Sequence, residues 1–239
     1  MPAVLSVSIL ALLAGIAMPF GAWLAKVDGV KQYRFSRELH HSVLAFGAGV
    51  LLAAVAFVLV PHGIAELNPL FSVFCFICGG LAFMGLDILL LKWQAPASQL
   101  IAMLADFIPE AVALGATFIV HRDSALLLAV FIALQNIPEG FNAYRELRSS
   151  GQFSSKKILS AFLLMSLLGP VAAVIGLYYL YDSPQTLSVI MLFAAGAILY
   201  SVFQDIAPKV VLKNHRLPPM GAVLGFSLGL LGYLFIEGG

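Results

Sequence analysis

Two short segments of the chain repeat one chemical pattern. Asp106 to Glu110 reads Asp-Phe-Ile-Pro-Glu, and Gln135 to Glu139 reads Gln-Asn-Ile-Pro-Glu. The two polar ends of each segment are four positions apart, which puts them on one face of a helix. Each segment encloses a proline, Pro109 or Pro138. Proline has no N–H for the carbonyl four residues back, so Ala105 and Leu134 each lose a helical partner. The expectation is a loosened turn and a free carbonyl beside each carboxylate, as in discontinuous helices that build midplane ion sites. Asp106, Glu110 and Glu139 offer carboxylate oxygens and Gln135 an amide oxygen. Asn136 offers another where a distorted turn rotates it inward. Neither segment contains histidine or cysteine. Oxygen donors suit hard or borderline divalent cations, and two or three carboxylates roughly balance a charge of +2.

The surroundings make these residues costly. Of the 239 residues, 61% are hydrophobic and only 10% charged, and the mean hydropathy is +0.99. Soluble domains carry about 25% charged residues, so the solvent of this chain is lipid. A carboxylate at mid-bilayer costs about 2.5–3.5 kcal/mol on insertion scales. Three of them, with no basic residue in the same spans, must bind cations or stay protonated. The net charge of +1 and the lack of a basic tail give no reason to invoke nucleic acid.

The elements that must position them are membrane helices. A span needs about 20 apolar residues, and eight segments qualify: 3–25, 42–61, 69–91, 98–120, 124–144, 158–181, 186–207 and 217–236. The first has no basic residue ahead of it and exceeds the length of a signal peptide's apolar core, so it reads as a span. Cys75 and Cys78, inside the third, read as packing cysteines. Twelve of the 13 Lys and Arg residues fall in the odd-numbered connections, and only Arg122 falls on the other side. The positive-inside rule then puts the odd connections in the cytoplasm and both termini outside. Spans four and five are antiparallel neighbours joined by His-Arg-Asp-Ser, which sets Asp106 and Glu139 at similar depth.

An internal echo accompanies this order. The segments from Phe46 and Phe193 share Phe, Gly and small residues in register, and Pro61 and Pro208 each lie 15 residues after their Phe. Spans two and seven run in opposite directions, so the expectation is an inverted repeat, spans 1–3 against 6–8 around spans 4 and 5. The fold class expected is an all-α integral membrane protein of eight transmembrane helices, with residues 1–239 forming one polytopic domain.

Gln-Asn-Ile-Pro-Glu-Gly from Gln135, Asp-Phe-Ile-Pro-Glu-Ala from Asp106 and the Phe193 segment resemble the ZIP family (Zrt-, Irt-like proteins), in particular its prokaryotic GufA-like subgroup. The resemblance implies transport of Zn2+, or of Mn2+, Fe2+ or Cd2+, into the cytoplasm. It implies an elevator-like movement of spans 1, 4, 5 and 6 against a scaffold of spans 2, 3, 7 and 8, in a homodimer. The bacterial cytoplasmic membrane follows as the expected location, with both termini on the periplasmic or extracellular side. Carried over by position, Asp106, Glu110, Gln135 and Glu139 match a first metal site. Asn136, with Glu110 and Glu139 shared, matches a second. The metal is cargo, and no cofactor is implied. This sequence departs from the family where His-Asn is usual and Asp106-Phe107 stands, and at Ala111 and Gly169. The expectation is therefore a single working site, harder in character than a zinc site with imidazole.

Other polar residues receive structural readings: Asp205 paired with Lys209 at i, i+4, Asp87 paired with Lys92, and His40, His41 and His62 as interfacial or loop histidines. Asp205 also stands open to a role on an exit path. Two other functions use the same residues, a proton-coupled cation antiporter and a non-transporting metal sensor. An intramembrane metalloprotease would need HExxH, and a serine hydrolase would need Ser and His at depth; the sequence has neither.

Overall fold

The computed structural model describes residues 3–29, 37–93, 98–180, 183–210 and 216–237. Lys31, Arg34, Lys213 and His215, and the connections that hold them, lie outside the described residues.

Eight helices are long and apolar enough to cross a membrane. They are α1 (Ala3–Asp28), α2 (Arg37–Ala54, continuing to Gly63), α3 (Pro69–Trp93), α4 (Ser98–Val120), α5 (Arg122–Ser149), α6 (Ser155–Tyr179), α7 (Pro184–Ser201, continuing to Val210) and α8 (Leu217–Glu237). Among the described residues there is no strand. The protein is an all-α integral membrane protein. Leu13, Leu164 and Phe235 are among many large apolar side chains on the outside, where lipid tails satisfy them. Several helices extend beyond the apolar runs. The fifth was expected over 124–144 and reaches Ser149, because Arg145, Glu146 and Arg148 favour helix and stand past the apolar core. Between α4 and α5 only His121 breaks the helical run, with φ −136° and ψ 78°.

The closest helix pairings fall into two sets, and α2 of the second also lies along α5 of the first. In one, α1 lies against α5 and α6, and α4 against α6 and α5. In the other, α2 lies against α8, and α3 against α7. Within each set the backbones touch. A methyl group added at Gly140 would stand 2.2 Å from the Met18 carbonyl oxygen, and one at Gly115 1.8 Å from that of Ala173. In the second set a methyl added at Gly49 would stand 2.1 Å from the Ala222 carbonyl oxygen, and one at Gly79 1.9 Å from that of Phe193. Small residues permit this approach, and dispersion at close range replaces the hydrophobic drive that lipid removes. Between the sets, a methyl at Gly47 of α2 would meet the Pro138 ring of α5 at 2.6 Å.

The prolines behave differently from expectation. Pro109 and Pro138 lie inside unbroken α-helix. The loosened turns are elsewhere: π-helical segments run over Val55–Leu59 in α2 and Val202–Ile206 in α7. Each ends two residues before a proline, Pro61 or Pro208. A proline ring crowds the carbonyl four residues back, here that of Phe57 or Gln204. Widening to an i→i+5 turn moves that carbonyl aside. The two π segments also occupy the same register after Phe46 and Phe193.

Candidate metal site between α4 and α5

The regular geometry of α4 and α5 sets the polar pairs on facing surfaces, and burial then forces them to find partners. Glu110 and Gln135 are each 1% exposed. The Gln135 amide Nε2 donates to both Glu110 carboxylate oxygens, each at 2.7 Å. Its own oxygen, Oε1, is buried with no partner, and so is Oδ1 of Asp106. Unsatisfied buried acceptors cost roughly 1–3 kcal/mol each. Each offers a lone pair that a bound cation could take.

Asp106 and Glu139 line one cavity of about 50 Å³, with Asn142 of α5 and Ser201, Asp205 and Lys209 of α7. That volume holds little more than a dehydrated ion or a few waters. Leu44, Asn142 and Lys209 also line a second, wider cavity of about 460 Å³, beside His40, His41, Phe141 and Arg145. The wider cavity lies at the end of the bundle that carries Arg145, Arg148 and Lys209, called here the basic end.

Asn136, 2% exposed, turns its amide nitrogen toward α1. Its amide Nδ2 donates to the Ala14 carbonyl of α1 at 2.9 Å, which fastens α5 to α1. Among the described residues, no three of His, Cys, Asp and Glu stand as a ready-made metal cluster. The oxygens are instead divided between the closed Glu110–Gln135 pair and the cavity-facing Asp106 and Glu139. Phe107, 1% exposed, fills the space between α1, α4 and α6. A methyl at Gly169 would meet its ring at 2.7 Å, and one at Gly15 would meet it at 3.0 Å.

Beyond Asp205, sequence reasoning left the continuation of the site unassigned. Gln135, Glu139, Asn142 and Glu146 fall at helical spacing along α5. Ser201, Asp205 and Lys209 do the same along α7. A polar stripe in a helix as apolar as α7 is the signal that was available. The expected Asp205–Lys209 pair is not formed: Lys209 Nζ reaches Glu146 Oε2 at 3.7 Å, across the two stripes. Asp87 does not pair with Lys92 either. It accepts from Tyr200 Oη at 3.3 Å and Gln204 Nε2 at 3.2 Å, because α3 packs on α7 and brings these donors closer. At the basic end Asp28, 2% exposed, accepts from Arg145 at 3.0 Å, with the His40 ring 3.6 Å away.

A protein family described as "ZIP Zinc transporter" matches residues 95–237, from just before α4 to the end of α8. The chain belongs to the ZIP zinc transporter family. That family is one of transporters and not of enzymes. Two curated ZIP relatives align with the chain. Zinc transporter GufA of Myxococcus xanthus is 32% identical over 142 residues, covering 59% of this chain and 56% of that protein. Zinc transporter ZIP11 of Homo sapiens is 31% identical over 143 residues, covering 56% of this chain and 42% of its own length. The chain thus spans about half the length of these relatives. Membership in the ZIP family agrees with the eight membrane helices and with the resemblance of the α4 and α5 motifs.

Proposed function

We propose that this ZIP protein moves divalent metal cations, Zn2+ foremost, across the membrane through the oxygens of Asp106, Glu110, Gln135 and Glu139. The observation that carries the reading is the pair of orphan buried oxygens, on Asp106 and Gln135, with no basic residue between Ser98 and Val120 or between Asp123 and Tyr144. The α5 and α7 stripes supply the rest of the route. Glu139 hands the ion to Asp205 and Asn142, and the half-exposed Lys209–Glu146 pair guards the exit. With the basic connections in the cytoplasm, the open cavity faces inward and transport runs into the cell.

Movement would divide the molecule where the backbones do not interlock. The set α1, α4, α5 and α6 would travel with the ion, and α2, α3, α7 and α8 would stay as scaffold, in a homodimer. The site would hold one ion. Phe107 stands where the family pattern has an amide, and its ring, packed against Gly15 and Gly169, offers no donor to a second, adjacent ion.

Metal uptake into proteoliposomes tests this reading. Glu110→Ala and Glu139→Ala should each reduce uptake of Zn2+ to the level of protein-free vesicles. Uptake equal to that of the unsubstituted protein would reject the site. Two tightly bound Zn2+ ions per chain between α4 and α5 would reject the single-ion arrangement.

A further inference from the structure

The end of the bundle opposite the basic one brings two histidines together that the route above does not use. His62 closes α2, and His121 is the lone residue between α4 and α5. Their ring centroids are 5.0 Å apart and the planes meet at 62°. We infer that His62 and His121 form a separate metal-binding site for imidazole-preferring divalent ions, bridging the two helix sets at the outer end.

Three observations support it. The first is tautomer. His62 Nδ1 lies 2.8 Å from the Val58 carbonyl oxygen. A carbonyl can only accept, so Nδ1 carries the proton and Nε2 is the nitrogen left for a metal ion to take. A backbone carbonyl on the far nitrogen is the usual way a ligating histidine is oriented. The second is spacing. Two imidazoles on one tetrahedral ion, with Zn–N near 2.0–2.1 Å, put their ring centroids about 5 Å apart. The third is support and access. The His62 carbonyl accepts from Ser188 of α7 at 3.2 Å. The His121 backbone is bonded on both sides, its N–H to Thr117 at 2.8 Å and its carbonyl from Ala125 at 3.0 Å. Both backbones are fixed, and His121 is exposed, so an ion can reach the pair from water. Water would complete the coordination. A set of two imidazole nitrogens favours Zn2+, Ni2+ or Cu2+ over Mn2+ or Mg2+, unlike the oxygen set between α4 and α5.

His62 sits on α2 and His121 on the α4–α5 corner, so a bound ion ties the two sets together. It holds this end closed while the cavity is open at the basic end. The proposal goes beyond the transport reading and does not need it to be correct.

The test uses the full chain in lipid nanodiscs, carrying Glu110→Ala and Glu139→Ala so that the α4–α5 oxygens are silent. Equilibrium dialysis with Ni2+ should find one ion per chain, lost on adding either His62→Ala or His121→Ala. Cu2+ electron spin echo on the same background should show two imidazoles, falling to one in each variant. Unchanged Ni2+ binding in both variants would overturn the site. So would loss in one variant with the other unaffected. His121→Gln, at an exposed corner, guards against a folding effect: it should lose the ion and keep the elution profile of the parent. Failure here leaves the uptake result untouched, and failure of uptake leaves this result untouched.

Discussion

The helices that carry the carboxylates and the helices that wall them solve the same problem in different ways. Both sets contain prolines inside membrane helices, mid-helix in α4 and α5 and near the last turn in α2 and α7. In α4 and α5 the prolines sit in regular α-helix, and the polar pairs keep the i, i+4 alignment that brings Glu110 to Gln135. In α2 and α7 a π turn precedes each proline. That turn rotates what it carries: Asp205 and Gln204 on α7, and the Val58 carbonyl that orients His62 on α2. The first set holds its donors by regularity and tight backbone contact. The second brings polar groups to the cavity walls by local distortion, which is where π turns often occur.

Substitutions can break this comparison in order of effect. The largest should come from Gly140→Val, because its Cβ would stand 2.2 Å from the Met18 carbonyl, which is backbone and cannot swing away. Forcing α1 off α5 should cost about 1–3 kcal/mol or more, read as a lower denaturation midpoint in detergent. Gly85→Ala, with no atom within 4 Å of the new methyl, should stay within about 0.5 kcal/mol. If the two behave alike, tight backbone contact does not hold the first set together.

Next come the prolines. Pro138→Ala returns an N–H to an already regular helix and should stabilise by about 0.5–1.5 kcal/mol. Pro208→Ala removes the reason for the π turn of α7. Relaxation to an α turn rotates Asp205 relative to the cavity, and Zn2+ uptake should fall several-fold with little change in stability. Hydrogen exchange over 202–206 would report the change of turn. Identical effects for Pro138→Ala and Pro208→Ala would erase the distinction drawn between the sets.

The smallest effect should follow Lys209→Ala. The Lys209–Glu146 pair joins the two sets at 3.7 Å, with the side chains 42% and 51% exposed. Such a pair contributes about 0–1 kcal/mol, so the melting temperature should barely move. The salt dependence of uptake should weaken, since a charge at the mouth is lost. Loss of folded protein would make this contact a structural clamp and not a gate.

Much of this was legible in the residues themselves. Hydropathy runs and turn chemistry located all eight helices, because lipid leaves backbone groups no option but helix. Carboxylates in an apolar chain marked α4 and α5, because a charge there needs a partner. The spacing of Asp106 to Glu110 and Gln135 to Glu139 named the faces, since helical periodicity is a local property. Tertiary structure decided where these faces point and what they meet. Proline chemistry predicts strain but not which helix yields. That depends on packing: the Pro138 ring is received by the space at Gly47, whereas α2 and α7 widen their turns. Asn136 is an expected oxygen donor to the ion, and only the approach of α1 gives its amide nitrogen the Ala14 carbonyl as a partner. Lys209 had an acid four residues away and reaches Glu146 instead, because α5 lies nearer than its own helix's next turn. The pairing of His62 with His121 joins residues 59 positions apart. Local sequence carries no record of such a meeting, since it arises from how the helices pack and not from any property of either segment alone.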